Sequence, residues 1–250
     1  MPTSRILCSR CPVCALDLAA PVAEFPLNDY RAPATSVLHG CINCGSAHFK
    51  HSSRDFSSLN WHRKVFDRNT LWSEDLYMAL APRADMRSVI DIGCGIGTWL
   101  KYAESRQSTC LGYDTGADSV EYGIQELGLQ LRARPFVWHD PDAVSAKATL
   151  LTCIMVFEHL SEPRSLAEEI ARYCRIMRAK AFISVPFLNN YGFLNYDDSL
   201  PDYNVFNDVG GHVTYYTDRG MIRMFADFGL AHEATLFPAS WRGMLFSPSA

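Results

Sequence analysis

Residues 88–100, with the sequence SVIDIGCGIGTWL, decide the fold class because they join a short apolar strand, a glycine-rich turn and a helix start. Gly93 and Gly95 let a ligand approach the backbone closely, and the N-terminus of the following helix favours a carboxylate or phosphate. A dinucleotide-binding turn would carry glycine where Thr98 stands, which disfavours nicotinamide and flavin cofactors. The turn therefore predicts a nucleotide or amino-acid ligand, and a tight turn without a ligand is the alternative.

Two acidic residues follow at the ends of the next predicted strands. Asp114 lies 23 residues after Asp91, near the offset of about 20 at which an acidic side chain meets a ribose diol. Asp140 stands where an adenine amino group could donate to it, with an ordinary Asp-Pro turn as an equal alternative. A helix cap is the alternative for Asp114. The glycine turn and Asp114 together predict an adenosyl ligand.

Strands and helices alternate after Pro82. The predicted strands cover residues 88–91, 109–113, 136–139, 150–155 and 181–185, and helices are predicted from Thr98, from Asp118 and over 165–177. This alternation indicates a mostly parallel sheet with helices on both faces. Thr217 is expected to cap a further helix that Gly229 ends, before two last strands over 232–237 and 243–246.

Several segments in the same order resemble the class I S-adenosylmethionine-dependent methyltransferases. They are VIDIGCGIGTWL (89–100), LGYD (111–114), LLTCIMVFEHLSEP (150–163), AFISVPF (181–187) and GGHVTYYTDRGMIRMFADFGL (210–230). The resemblance covers about residues 87–237 and implies a Rossmann-like α/β fold with a seven-stranded, mostly parallel sheet. It implies that the methionine part of the cofactor lies against Asp91, Gly93, Cys94, Gly95 and Gly97. It also implies that Asp114 contacts the ribose and that Asp140 lies near the adenine.

The Glu158-His159 pair is similar to the Glu-His motif of ubiquinone-type O-methyltransferases and some sugar methyltransferases. His159 follows a strand's carboxyl end, and histidine as a residue type titrates near neutral pH, so His159 is the first candidate for the base that takes a hydroxyl proton. Glu158 is expected to orient that imidazole or to share a metal site with it. His212, after the long polar segment 186–211, is the second candidate base. The alternative for Glu158 and His159 is that they satisfy backbone groups at the start of the next helix, and the alternative for His212 is that it holds loop backbone in place.

Two Cys-x2-Cys pairs near the N-terminus predict a metal site. Cys11 and Cys14 are separated from Cys41 and Cys44 by 26 residues, a spacing close to that of four-cysteine zinc sites. Such a site has no open coordination position and is expected to be structural. Cys8 could replace one ligand, and free thiols or a redox pair are the alternative.

The composition divides the chain into three predicted parts. Residues 1–53 form a small zinc-ribbon-like module, 54–86 a helical lid or linker with apolar residues at helical spacing over 61–80, and 87–250 the methyltransferase domain. The long segment 186–211 is expected to carry substrate contacts, with pocket walls predicted at Tyr191, Tyr196 and Tyr203.

Composition and charge narrow the function classes. The net charge of −4 lacks the basic excess of a nucleic-acid binder, and no apolar run is long enough for a membrane span. We therefore predict a cytoplasmic enzyme with S-adenosylmethionine and structural Zn²⁺, which methylates a hydroxyl of a sugar, glycan or natural-product intermediate. The alternatives are a zinc-containing RNA methyltransferase and a non-catalytic cofactor-binding scaffold. The RNA alternative is favoured by a local group of basic residues, Arg54, Arg63, Lys64 and Arg68. The sequence leaves the oligomeric state open.

Overall fold

The structure, a computed structural model, describes residues 10–16, 23–26, 35–49, 72–187, 212–236 and 242–249. The chain forms two compact units, each built from separate segments. The first unit comprises 1–54, 157–164 and 186–224, and the second comprises 55–156, 165–185 and 225–250. Several predicted features lie outside the described residues, namely Cys8, the basic residues of 54–68, residues 61–71 of the predicted helix, and Tyr191, Tyr196 and Tyr203.

The described strands and helices have the following bounds. The strands are β1 (Ala23–Pro26), β2 (Thr35–Gly40), β3 (Ala47–Phe49), β4 (Ser88–Ile92), β5 (Thr109–Asp114), β6 (Leu131–Ala133), β7 (Leu150–Ile154), β8 (Lys180–Ser184), β9 (Thr214–Tyr215), β10 (Leu230–Leu236) and β11 (Gly243–Pro248). The α-helices are α1 (72–80), α2 (Thr98–Ser105), α3 (Ala117–Leu127), α4 (Pro141–Ala146), α5 (Pro163–Met177) and α6 (Asp218–Ala226), and a short 3-10 helix covers Phe157–His159. No described helix combines the length and apolar character that crossing a bilayer requires.

The second unit contains a seven-stranded sheet in the order β10-β11-β8-β7-β4-β5-β6. Strands β4 to β8 pair in parallel, whereas β11 runs antiparallel to β8 and β10 antiparallel to β11. Parallel strands buried on both faces read as continuous apolar runs, and β4 has four buried residues of five. The predicted seven-stranded, mostly parallel α/β sheet is therefore confirmed.

One predicted strand is wrong. Residues 136–139 form a loop, and the strand at this edge is β6, which pairs Gly112 with Leu131. Pro135 has no N–H to give to a ladder, and the Trp138 N–H donates instead to the Glu169 carboxylate at 2.8 Å. The buried ring of Phe136 explains why this segment has the apolar character of a strand without its backbone pairing.

The core of the second unit is a cluster of apolar side chains from its sheet and helices. Leu76 and Leu80 of α1 are fully buried in this cluster together with Trp99 and Leu100 of α2. The helical spacing predicted over 61–80 is therefore confirmed for its described part, and it marks the face of α1 that packs on the core.

The first unit contains a four-stranded antiparallel sheet in the order β1-β2-β3-β9. Its fourth strand comes from a distant part of the chain, because β9 pairs Tyr215 with Ala47 and Thr214 with His48 of β3. The segment just after residue 212 is therefore part of the same sheet as the strands next to the cysteine pairs.

Candidate cofactor and catalytic site

The glycine-rich turn between β4 and α2 is held in a conformation that requires glycine. Gly93, Gly95 and Gly97 have φ values of 76°, 55° and 84°, in the left-handed region that other residues rarely adopt. At Gly93 a Cβ atom would lie 2.2 Å from Cγ2 of Val156. Gly97 caps α2 without any side-chain hydrogen bond to the helix, so the first N–H groups of α2 are not taken by a cap. This geometry fits the carboxylate of a bound amino-acid moiety.

Asp114, at the end of β5, fixes this turn. Its Oδ2 accepts a hydrogen bond from the Gly95 N–H at 2.8 Å, and its Oδ1 accepts one from the Gly116 N–H at 2.7 Å. The carboxylate thus joins the glycine turn to the turn before α3. A carboxylate retains further lone pairs for a ribose diol, so the geometry is compatible with the predicted contact.

Asp91, at the end of β4, is a buried carboxyl group with a perturbed pKa. Burial raises its pKa to about 7, the hydrogen bond from Thr152 opposes this shift, and the charge of Asp114 adds to it. Thr152 Oγ1 donates to Asp91 Oδ1 at 2.7 Å, and Trp99 Nε1 donates to the same hydroxyl at 3.1 Å. A buried carboxylate gains stability from a cationic partner, and the ammonium and sulfonium of S-adenosylmethionine are such partners.

Cys94 lies within the same turn. Its Sγ donates to the Gly95 carbonyl at 3.7 Å, and burial raises the pKa of the thiol. The group therefore stays a thiol at neutral pH and contributes its backbone position to the turn.

Asp140 has a different set of partners. Arg134 donates to both of its carboxylate oxygens at 2.9 and 3.0 Å, and Tyr113 Oη donates to Oδ1 at 2.9 Å. The Asp142 N–H also donates to Oδ1, so Asp140 caps the N-terminus of α4. Its structural role is thus that of a cap and ion pair, and its contact with adenine stays a prediction.

The four predicted zinc ligands of the first unit lie together. The Sγ atoms of Cys11, Cys14, Cys41 and Cys44 are all buried and lie within 4.8 Å of one another. Cys11 Sγ is 3.8 Å from Cys44 Sγ, and Cys14 Sγ is 3.5 Å from Cys41 Sγ. Tetrahedral Zn–S bonds of about 2.3 Å place sulfur atoms about 3.8 Å apart, whereas a disulfide places them about 2.0 Å apart. The donor set and its spacing fit zinc.

The two cysteine pairs have the same backbone geometry. The Ala15 N–H donates to the Cys11 carbonyl at 2.9 Å, and the Gly45 N–H donates to the Cys41 carbonyl at 2.7 Å. Ala15 and Gly45 have φ values of 58° and 75°. Ala15 therefore takes the left-handed conformation that Gly45 takes in the second pair, and the first pair forms the same turn with alanine in that position.

The predicted Glu158-His159 pair and the separately predicted His212 also lie together. Ligand atoms of Glu158, His159 and His212 lie within 4.8 Å of one another. The rings of His159 and His212 are 4.9 Å apart between centroids, and His212 Nε2 is 3.9 Å from Glu158 Oε1. Glu158 is only 2% exposed, whereas both histidines are half-buried. We call these three residues the Glu-His-His cluster.

Hydrogen bonds between two segments hold the cluster in place. The Val213 N–H donates to the Glu158 carbonyl at 2.7 Å, and Thr214 Oγ1 donates to the Leu160 carbonyl at 3.2 Å. Tyr216 Oη donates to the Phe157 carbonyl at 3.0 Å. These bonds align the segment around His212 with the 3-10 helix that carries Glu158 and His159.

A family model described as a methyltransferase domain matches residues 61–235 of this chain. The chain belongs to the methyltransferase-domain family. It is a class I S-adenosylmethionine-dependent methyltransferase by family and by fold, as the order of its sequence motifs predicts. A search of the curated proteins finds none whose sequence matches the chain.

Solved structures show the same fold as this methyltransferase. A chain of the complex between the Haloferax volcanii Trm112 methyltransferase activator and a methyltransferase is 15% identical, with a TM-score of 0.56, and the match covers 80% of this chain and 100% of that one. A methyltransferase from Aquifex aeolicus is 16% identical, with a TM-score of 0.53 and coverage of 77% and 99%. Human N-acetylserotonin methyltransferase in complex with SAM is 15% identical, with a TM-score of 0.58 and coverage of 77% and 56%.

Sequence reasoning missed two side-chain contacts that position the sites of this methyltransferase, one made by Thr152 and one by Thr217. Thr152 supports Asp91 from β7, and Thr217 Oγ1 donates to the Cys44 carbonyl and accepts from the Gly220 N–H. Thr152 interrupts an otherwise apolar strand, and a polar residue in a buried strand signals a specific partner. Thr217 was predicted as the cap of α6, which is confirmed, but no local signal indicates its bond to the second cysteine pair.

Proposed function

We propose that this methyltransferase transfers the methyl group of S-adenosylmethionine to a hydroxyl of a small molecule, such as a sugar, glycan or natural-product intermediate. The observation that carries the proposal is the Glu-His-His cluster, which gathers two imidazoles and a buried carboxylate within 4.8 Å. A hydroxyl is a weak nucleophile until it loses its proton, and imidazole is the side chain suited to take that proton near neutral pH.

Methyl transfer makes limited demands on the protein. The sulfonium already activates the methyl group, so the enzyme must hold the acceptor oxygen in line with the S–CH3 bond and remove its proton. The oxygen–carbon bond forms while the carbon–sulfur electron pair passes to sulfur, which leaves S-adenosylhomocysteine. We assign proton removal to His159, with His212 as the second candidate. The nearby carboxylate of Glu158 would stabilise the imidazolium that forms.

The remaining site residues support cofactor binding and structure in this proposal. The turn of Gly93, Gly95 and Gly97 would hold the methionine part, Asp114 the ribose and Asp140 the adenine side. Structural zinc would occupy the site of Cys11, Cys14, Cys41 and Cys44. The small-molecule class is supported by human N-acetylserotonin methyltransferase, whose fold is similar, and by the net charge of −4, which disfavours RNA as the acceptor.

The proposal is tested with zinc-loaded protein and S-adenosylmethionine carrying a labelled methyl group. Sugar nucleotides, phenolic and hydroxylated small molecules, and total RNA serve as acceptor pools. We expect label in a small-molecule pool and none in RNA. Label in RNA alone would overturn the acceptor class, and binding of cofactor without transfer to any pool would favour a non-catalytic scaffold.

Variants then test the base. His159→Ala is expected to lower kcat by about 10²- to 10⁴-fold, the usual contribution of a general base, with unchanged affinity for S-adenosylhomocysteine. His139→Ala is the matched control because His139 is exposed and outside the cluster. Unchanged turnover in His159→Ala and in His212→Ala would remove the imidazoles from the mechanism.

A further inference from the structure

We propose that the Glu-His-His cluster is a second metal site, which binds a divalent transition-metal ion such as Zn²⁺ in addition to the four-cysteine site. The binding of the ion stands on geometry alone. The role given to it below rests on the proposed function and deepens it.

The donor set is the first argument. Two imidazoles and one carboxylate are the protein ligands of some catalytic zinc sites, in which water or substrate takes the fourth position, and of other open transition-metal sites. Metal–ligand distances of about 2.1 Å in a tetrahedral site bring donor atoms to about 3.4 Å apart. The cluster's donor atoms already lie within 4.8 Å of one another, with 3.9 Å between His212 Nε2 and Glu158 Oε1. Tetrahedral coordination would bring these atoms closer by at most about 1.4 Å.

Burial is the second argument. A carboxylate that is 2% exposed, as Glu158 is, carries a large desolvation cost unless a positive charge lies beside it. A bound cation would supply that charge. Both histidines are half-buried, so the cluster is accessible to an ion while the carboxylate stays desolvated.

The support around the cluster is the third argument. Ligand side chains bind a metal ion more tightly when the backbone that carries them is already held in position. The bonds from Val213 to Glu158, from Thr214 to Leu160 and from Tyr216 to Phe157 fix both ligand segments. Pairing of β9 with β3 also attaches the His212 segment to the strand beside the second cysteine pair.

The two proposed metal sites of the first unit differ in chemistry. Four thiolates fill a tetrahedral zinc and leave no position for a substrate, whereas two histidines and one carboxylate leave at least one position open. An acceptor hydroxyl in that position would have its pKa lowered by the cation and would release its proton to solvent. With the ion bound, His159 would serve as one of its ligands, and the cation would promote the loss of the hydroxyl proton in place of an imidazole base.

The test is a calorimetric titration of Co²⁺ into full-length protein that already holds one zinc per chain. We expect one Co²⁺ per chain without the thiolate-to-cobalt absorption that exchange into the cysteine site would give. In His212→Ala and Glu158→Gln we expect the affinity to fall by more than about tenfold, since loss of even a supporting residue costs 10- to 100-fold. In His139→Ala it is expected to be unchanged. One retained zinc per chain in each variant shows that the first unit is folded.

Two results would overturn the metal site. One is the absence of Co²⁺ and Zn²⁺ binding beyond the first zinc, and the other is binding of equal affinity in wild type and His212→Ala. Methyl transfer that persists after the second ion alone is removed would overturn its catalytic role and leave the proposed function intact. Failure to bind S-adenosylmethionine, with Co²⁺ binding retained, would instead overturn the proposed function.

Discussion

The two compact units are stabilised in different ways. The second unit is organised around a seven-stranded sheet and a core cluster of apolar side chains, so its stability comes from burial distributed over many residues. The first unit contains three separate chain segments. Its four clustered cysteines all lie in the first segment, and the pairing of β3 with β9 and polar bonds such as that from Thr217 to the Cys44 carbonyl connect this segment to the third. We therefore expect the loss of a single metal ligand to lower the stability of the first unit severely. In the second unit, we expect the charged groups at the cofactor turn to have the largest effect on stability.

The largest expected effect is loss of a cysteine ligand. Cys41→Ser should release the zinc and lower the free energy of unfolding of the first unit by on the order of 5 kcal/mol, because structural zinc supplies much of the folding free energy of small modules. Zinc content and chemical denaturation measure this effect. Ile42→Ser changes an exposed residue between the same ligands and should keep the zinc. Equal zinc content in both variants would contradict the idea that the first unit depends on its cysteine ligands for stability.

The next effect belongs to the second unit and depends on pH. Burial raises the pKa of Asp91 to about 7, so between about pH 4 and pH 7 the folded protein binds a proton that the unfolded chain lacks. Stability is therefore lost as the pH rises through this window. Asp91→Asn removes the titrating group and with it this pH-dependent loss of stability. In cofactor-free protein, the free energy of unfolding of the variant relative to wild type should therefore rise by on the order of 3 kcal/mol between pH 5 and pH 8.

Urea denaturation at the two pH values measures this effect. Asp118→Asn, at an exposed position of α3, serves as the control. A constant difference between Asp91→Asn and wild type at both pH values would show that Asp91 is ionised in the folded protein throughout.

A smaller effect is expected at Thr217, which joins the cysteine site to the α6 segment. Thr217→Ala removes both the cap of α6 and the bond to Cys44, and should cost about 1–2 kcal/mol. Thr217→Ser keeps the hydroxyl and should cost less than half as much. Thermal unfolding monitored alongside zinc content compares the two, and equal losses would show that the methyl group matters more than the hydrogen bonds.

The smallest effect uses the similarity of the two cysteine pairs. Ala15→Gly should raise the stability of the first unit by about 1 kcal/mol, because Ala15 has a φ of 58°, which is unfavourable for any residue with a Cβ. Gly45→Ala is the reciprocal change, and its Cβ would lie 3.1 Å from Thr217 Cγ2, so it should destabilise. Denaturation midpoints of zinc-loaded protein measure both, and a loss of stability in Ala15→Gly would contradict the assigned turn.

The two units also differ in how far the sequence predicts them. The cofactor turn can be predicted from adjacent residues, since one strand, three glycines and one helix start follow each other within residues 88–100. The backbone geometry of such a turn requires glycine at particular positions, so the sequence pattern identifies it. Asp114 follows from a fixed offset for the same reason. The prediction of an edge strand at residues 136–139 is wrong because the apolar residue Phe136 is buried from a loop, without the backbone pairing of a strand.

The Glu-His-His cluster shows what the sequence could not provide. His159 and His212 were predicted as competing bases because nothing local relates residues 53 positions apart. Their proximity arises from hydrogen bonds between the two segments, such as those from the Val213 N–H to the Glu158 carbonyl and from Thr214 Oγ1 to the Leu160 carbonyl. These are long-range contacts, which no periodicity or spacing in the chain encodes.

The most direct test of the account is calorimetric titration of zinc-loaded protein with S-adenosylhomocysteine and S-adenosylmethionine, in wild type and in Asp114→Ala. Neither titration requires the acceptor to be known. The account predicts wild-type binding with a dissociation constant on the order of micromolar, weakened at least about tenfold in Asp114→Ala because the variant loses its contacts to the Gly95 turn and the predicted ribose contact. Absence of binding by folded, zinc-loaded wild type, or equal binding by the variant, would contradict the assignment of the glycine turn and Asp114 as the cofactor site.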